Sequence, residues 1–216
     1  MLRTTTLLLF AVCWPGPAAA RGLPLTKSLT DCGYAPVIRK RGIAVFRNKR
    51  ASVTDIAAQG ILRVPTDQLQ RALVDYRRHV AYIDRVAESR VLRRDKGELL
   101  VYQRLDLPLL SDRDFTLDVR WGKDGEIRWV DFHAVTDRGP RPREGVVRVT
   151  HHRGSWELLP IMGGKATLAR YQVSIDLAGY LPRWMARSSA GKEVPDLFAA
   201  ICTMAVGRDK ARGHCP

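Results

Sequence analysis

From Asp114 to Trp121 every second side chain is apolar, and the side chains between them are polar or charged. Successive residues of a β-strand point to opposite faces of the sheet, so this alternation predicts a strand with one buried face and one face in water. Sheets with one solvated face are typically antiparallel. The segment therefore predicts an antiparallel sheet.

Strand patterns recur along most of the chain. They are separated by short segments rich in glycine, proline and aspartate, which favour tight turns. The predicted strands are 42–47, 55–64, 87–94, 98–107, 115–121, 126–136, 146–159 and 166–177. The first two are expected to form a hairpin or near-hairpin, and the last six to form an antiparallel meander.

Two segments change to helical spacing. After Pro65, apolar residues recur on one face as far as Val80, which predicts a helix that bends near Arg77 and continues to Asp84. A second apolar stripe runs from 182 to about 206 and predicts a long closing helix, with Pro195 as a kink or break. This order of elements predicts an α+β fold, in which a curved antiparallel sheet wraps around the long C-terminal helix.

The N-terminus is typical of a secretory signal peptide over residues 1–20, because Arg3 precedes an apolar run and Ala20 ends a small-residue cleavage site. We expect the mature protein to begin at Arg21 and to be exported, either to the periplasm or outside the cell. A retained membrane anchor is the alternative. Residues 21–41 predict a loosely structured segment, 42–206 a single domain and 207–216 a C-terminal tail.

Local motifs resemble the START family of lipid-transfer domains, within the superfamily that includes Bet v 1-like proteins and polyketide cyclases. Residues 42–46 read Gly-Ile-Ala-Val-Phe, 111–115 read Ser-Asp-Arg-Asp-Phe and 153–156 read Arg-Gly-Ser-Trp, each in the expected strand. The resemblance spans residues 42–206. It implies the helix-grip fold, an internal cavity for a lipid, and a lid formed by the bend at 107–110 and the start of the closing helix.

The chain is strongly basic, with 36 Lys and Arg against 22 Asp and Glu and a formal net charge of +14. Such a charge favours anionic membrane surfaces or nucleic acid. The basic residues are scattered between apolar positions, so they also suit ordinary solvated faces. No basic stripe with interleaved exposed aromatic residues is present, and we expect no nucleic-acid partner.

The candidate ligand-binding residues are polar or aromatic side chains on predicted strands, together with one methionine in the closing helix. Any one of the indoles is better explained as part of a solid core. Several of them on facing strands of a hollow fold are nevertheless expected to line its cavity, with N–H groups free to bind a guest. For Arg113, a contact with a lipid headgroup competes with a structural role at the strand start. The set is Tyr102, Arg113, Trp121, Trp129, His133, Trp156, Tyr171 and Met185.

We therefore expect an exported, monomeric START-like protein that binds a hydrophobic ligand without catalysis, makes peripheral contact with anionic membranes and needs no cofactor. The alternative is a cyclase or aromatase in which Tyr102, Arg113 or His133 moves protons. No metal site is expected, because His151 and His152 are strand neighbours that point to opposite faces.

Three cysteines follow the predicted cleavage site. Export would allow two of them to pair. Cys32 lies near the mature N-terminus, and Cys202 and Cys215 lie near the C-terminus. We expect Cys32 to bond with Cys202 or with Cys215, because such a crosslink would restrain both ends of the chain.

Overall fold

Ten strands pair into one sheet in the computed structural model, which describes residues 24–48, 50–178 and 183–216, with the backbone alone for 183–192. The strands are β1 (Tyr34–Lys40), β2 (Ile43–Asn48), β3 (Thr54–Leu62), β4 (Val86–Asp95), β5 (Glu98–Leu105), β6 (Asp112–Asp124), β7 (Ile127–Ala134), β8 (Val146–Arg148), β9 (His151–Ile161) and β10 (Ala166–Asp176). The helices are α1 (Thr66–Val74), α2 (Tyr76–Tyr82) and α3 (Arg183–Val206).

The sheet follows the order β1-β2-β3-β10-β9-β7-β6-β5-β4, and each of these neighbours is antiparallel. The last strand of the meander returns to pair with β3, so the opening strands and the meander form one continuous layer. Both predicted groups of strands are therefore present, and the antiparallel arrangement inferred from residues 114–121 is confirmed.

Helix α3 packs against this sheet and against α1. Its Phe198 is fully buried and contacts the indole of Trp156 on β9, with 4.8 Å between the ring centroids. The helix continues across Pro195 instead of ending there. The predicted α+β class, with a large antiparallel sheet around the C-terminal helix, is confirmed.

The helix between β3 and β4 is divided in two. The predicted bend near Arg77 lies at Asp75, whose backbone (φ −86°, ψ 64°) leaves the helical region and separates α1 from α2. The segment 146–159, predicted as one strand, also divides. Its first part, β8, pairs in parallel with the start of β6, and its second part, β9, pairs with β7 and β10. A change of partner requires the chain to leave one ladder before it joins the next.

The segment predicted to be loosely structured, 21–41, contains β1, which pairs with β2 over Tyr34–Lys40. Leu29 and Tyr34 pack with Ala57 of β3 in a small second cluster. Arg170 of β10 donates hydrogen bonds to the carbonyls of Pro24 and Lys27, at 2.6 and 2.9 Å. These partners lie far away in sequence. The local sequence pattern therefore could not predict the contacts that hold this segment.

The disulfide joins Cys202 to Cys215, with 5.5 Å between the Cα atoms. The expected pairing of Cys32 with either cysteine is therefore wrong. After α3 the chain turns at Gly207, whose φ of +85° suits glycine, and brings Cys215 back to the helix. Cys32 packs against the separate cluster of Leu29, Tyr34 and Ala57.

Removal of the disulfide is expected to destabilise the protein. In a Cys215→Ser variant the free energy of unfolding should fall by about 3 kcal/mol, because the crosslink closes a short loop that is otherwise free in the unfolded chain. Urea unfolding without reductant measures the change. Cys32→Ser is the control, and its expected change is smaller because no crosslink is lost. Equal losses in the two variants would contradict the assignment.

Candidate ligand-binding cavity

A cavity of about 850 Å³ lies between the sheet, α2 and α3. Ligand-binding pockets typically occupy 300–1,000 Å³ and have mostly apolar walls. The interior of the fold is therefore hollow on the scale of a lipid.

The alternation of side chains along each strand determines which residues form the cavity walls. Odd-numbered residues of β6 and even-numbered residues of β7 point inward, so Phe115 and Leu117 face the same space as Val130 and Phe132. On β10 the inward positions are Tyr171, Val173 and Ile175. The walls are apolar because these positions form the buried face of each strand.

The mouth of the cavity consists of those lining residues that are also exposed to solvent: Ala81, Asp84, Arg85, Pro108, Leu109, Glu193 and Arg208. Leu109 is 93% exposed and has a φ of +62°. The bend at 107–110, expected as part of a lid, therefore reaches the cavity with an apolar residue at its tip. The other half of the expected lid, around Met185, lies outside the described side chains.

His79 is a buried polar residue in the wall. Its Nδ1 lies 3.3 Å from the amide nitrogen of Gln103, which also donates to the hydroxyl of Ser89 at 3.0 Å. Burial lowers the pKa of His79 to about 4, because the imidazolium would lose its hydration. The ring is neutral at physiological pH.

His152 lies on β9, on the same side as Trp156. Its ring makes T-shaped contacts with the rings of Phe115 and Phe132, with centroid separations of 4.6 and 5.3 Å. Burial among these aromatic groups, with a smaller effect of His151, lowers the pKa of His152 to about 3. This second histidine is therefore also neutral.

Two buried tyrosines also belong to the polar part of the wall. Burial raises the pKa of both Tyr76 and Tyr171, so their hydroxyls stay protonated. The ring of Tyr171 packs on Trp156, with 4.6 Å between centroids. The buried polar groups of the cavity are thus all uncharged.

Two of the eight predicted site residues, Trp156 and Tyr171, line the cavity. Trp121 packs against the main core, and Trp129 covers the backbone of Gly122 on the neighbouring strand. His133 is exposed on β7, at an outward position next to the inward Phe132. Their roles as ligand contacts stay predictions, as does that of Met185.

Tyr102 lies on the outer face of β5, since its neighbours Gln103 and Leu105 mark the inward face. Its hydroxyl donates to Asp114 at 3.0 Å, and the same carboxylate pairs with Arg148 at 2.6 Å. Tyr102 is fully buried by the ion pairs that cover this face. Strand alternation had left the choice of face open, and these partners determine it.

Arg113 donates to backbone carbonyls of Leu177 and Ala178, each at 3.2 Å, and of Ser111. These contacts tie the start of β6 to the segment that follows β10. They correspond to the structural role that competed with a headgroup contact in the sequence analysis. Arg113 is buried, and it is absent from the described cavity wall.

His79, Gln103 and His152 were not predicted as site residues, although each carried a signal. His152 lies four residues before Trp156 on one strand, so both point to the same side. His79 follows Tyr76 by three residues, so both lie on one face of α2. Strand alternation around the predicted cavity residue Trp156 was therefore sufficient to place His152 on the same side of the sheet.

Comparison with known proteins identifies the fold. No protein-family model matches the sequence, and no curated protein matches it. A STAR-related lipid transfer protein from Xanthomonas axonopodis has a similar solved structure, with a TM-score of 0.72 and 22% identity over 80% of this chain and 98% of that one. Human StAR-related lipid transfer protein 5 aligns with a TM-score of 0.73 and 16% identity over 82% and 88% of the two chains.

The Zhui aromatase/cyclase from Streptomyces is also similar, with a TM-score of 0.52 and 17% identity over 74% of this chain and 97% of that one. These structures together show that the chain has the START-type helix-grip fold, as the motifs predicted. Across residues 24–48, 50–178 and 183–216, no helix has the length and apolar character of a membrane span, and no cluster of three possible metal ligands occurs.

Proposed function

We propose that this protein binds a hydrophobic ligand, such as a lipid, in its internal cavity and performs no chemistry on it. The observation that carries the proposal is the apolar cavity of about 850 Å³. A guest that buries 15 methylene groups gains about 12 kcal/mol in gross terms. Association and ordering cost several kcal/mol of this gain, and the remainder still supports tight binding.

The similar structures support the same function, because two of them are named as lipid transfer proteins. The fold also resembles an aromatase/cyclase, so catalysis is the competing class. That alternative assigned proton transfer to Tyr102, Arg113 or His133. None of the three belongs to the described wall of the cavity, which favours binding without catalysis.

We also propose that the protein is exported and loads or unloads its ligand at anionic membranes. Its disulfide supports export, because such bonds persist mainly in oxidising compartments. The net charge of +14 and the exposed Leu109 beside the cavity mouth support contact with an anionic surface.

Native mass spectrometry tests the proposal on the full chain, expressed with residues 1–20 and recovered from the cell envelope or medium. We expect a mature chain that begins at Arg21, and a bound lipid that organic extraction releases. Titration with a fluorescent lipid should saturate at one molecule per chain. A protein that carries no lipid and takes up none would overturn the binding function, whereas an uncleaved, intracellular chain would overturn export alone.

A further inference from the structure

The seam between α2 and the end of α3 forms one side of the cavity. Tyr76, His79, Ala81 and Tyr82 line the cavity from α2, and Arg208, which follows α3, lines it from the C-terminal tail. Separation of α2 from α3 would therefore open the cavity to solvent.

Two arginines that share one tyrosine ring close this seam. The guanidinium carbons of Arg78, on α2, and of Arg208 each lie 5.0 Å from the ring centroid of Tyr82. Arg78 donates hydrogen bonds to the Met204 carbonyl of α3 at 3.3 Å and to the Tyr82 hydroxyl at 3.0 Å. Arg208 donates to the Ala81 carbonyl of α2 at 3.0 Å. Each arginine thus ties α2 to the end of α3, and we call Arg78, Tyr82 and Arg208 the arginine latch.

The partners of both arginines are uncharged. No carboxylate among the residues that the structure describes pairs with Arg78 or Arg208, although both are exposed. Two positive charges beside one ring repel each other and attract an anion. A phosphate adds its own negative charge and accepts two N–H bonds from the planar fork of a guanidinium, which a single carbonyl cannot do. A phosphate that reaches the latch therefore competes with the contacts that hold it closed.

Helix α2 has only seven residues and is bounded by breaks in the backbone. Asp75 leaves the helical region at its start. Beyond its end, Arg85 has a φ of +70°, which is strained for a residue other than glycine. Residues at the ends of an element absorb the rotation in hinge motions. Only Tyr76 and His79 of α2 are buried, so its position against α3 depends on the latch.

We infer that the arginine latch responds to anionic lipids in a bilayer: their phosphates bind Arg78 and Arg208, release α2 from α3 and open the cavity. This inference rests on the proposed function and deepens it, because it assigns the site through which an anionic membrane triggers ligand exchange.

Transfer of the dye Nile red from the mature protein to vesicles tests the inference. The vesicles contain a quencher lipid in either phosphatidylcholine alone or phosphatidylcholine mixed with phosphatidylglycerol, and stopped-flow fluorescence follows the loss of dye from the cavity. We expect transfer to the anionic vesicles to be about tenfold faster. Inorganic phosphate added with the phosphatidylcholine vesicles should leave the rate unchanged, because it lacks the high local concentration of a bilayer surface.

Substitution of both arginines separates the latch from a surface that only attracts anions. The combination of Arg78→Gln with Arg208→Gln should lose the response to phosphatidylglycerol. Its transfer to phosphatidylcholine vesicles should become about tenfold faster than in the unmodified protein, because α2 loses its ties to α3. A surface that only attracts anions would lose the response without this gain.

The combination of Arg77→Gln with Arg212→Gln is the matched control. It also removes one exposed arginine from α2 and one from the C-terminal tail, so the change in net charge is the same. This control should keep both the response to phosphatidylglycerol and the slow transfer to phosphatidylcholine.

The outcomes distinguish the inference from the function on which it rests. If neither Nile red nor a fluorescent lipid binds, the binding function itself fails. If the dye binds but leaves for both kinds of vesicle at one rate, if inorganic phosphate alone accelerates its loss, or if the latch variant behaves like its control, the inference is overturned and the function stands. Should the latch variant fail to fold, Tyr82→Leu decides, because it keeps both charges and should still accelerate transfer to phosphatidylcholine.

Discussion

Two tryptophans placed on opposite walls of the cavity should abolish ligand binding, with a loss of affinity of about a hundredfold or more. The variant combines Val173→Trp on β10 with Ala200→Trp on α3, both of which line the cavity. Each indole buries about 150–250 Å² of surface, so together they occupy space that a lipid chain would need. Fluorescent lipid titration and native mass spectrometry measure the loss.

A matched pair of tryptophans controls for the added bulk. Ile61→Trp and Ala205→Trp also place one tryptophan on a strand and one on α3. Ile61 is 56% exposed, and neither residue lines the cavity. This control should bind lipid like the unmodified protein. Because the test indoles enter empty space, that variant should also stay folded by circular dichroism. A folded test variant with undiminished binding would show that ligands bind elsewhere.

Mild acid should destabilise the empty protein through its two neutral histidines. The pKa values of His79 and His152 are about 4 and about 3 in the folded protein, whereas an unfolded histidine has a pKa near 6.5. As the pH falls below 6.5, the unfolded chain binds protons that the folded chain does not, so stability falls. At pH 5 each histidine should account for a loss of about 2 kcal/mol.

Urea unfolding at pH 7.5 and pH 5.0 measures this loss on lipid-free protein. In His152→Leu the difference between the two pH values should shrink by about half, while in His133→Leu it should stay as in the unmodified protein. The interval stops at pH 5 because Glu88, whose pKa is held below its usual 4.5 chiefly by Arg143 against its burial, contributes at lower pH. An unchanged difference in His152→Leu would refute the assignment of a buried neutral imidazole.

A large empty space stabilises nothing by itself, because the side chains that line it lack packing partners on one side. The protein should therefore gain stability on loading by an amount that depends on ligand affinity and concentration.

Part of the architecture followed directly from local sequence. Alternation at Phe115 and Leu117 reflects the two faces of a strand, and the apolar stripe after Pro65 reflects one face of a helix, so both were predictable from neighbours in the chain. The motif at 111–115 placed these elements in the START-type fold. Among site residues, Trp156 and Tyr171 were predicted and do line the cavity.

Features that depend on distant partners required the tertiary structure. Alternation shows that Tyr102 and Gln103 face opposite sides, but only Asp114 on one side and His79 on the other show which side is the cavity. The pairing of Cys202 with Cys215, in place of Cys32, depends on a turn at Gly207.

The sequence by itself determined the type and order of the elements, because strand and helix periodicity are properties of residues a few positions apart. The tertiary structure decided which side chains border the hollow, how the first strand is held and which polar atoms are left without partners. These depend on groups brought together from across the chain, such as Arg170 with Pro24 and His152 with Phe115. Their contact is a consequence of folding, and no local pattern records it.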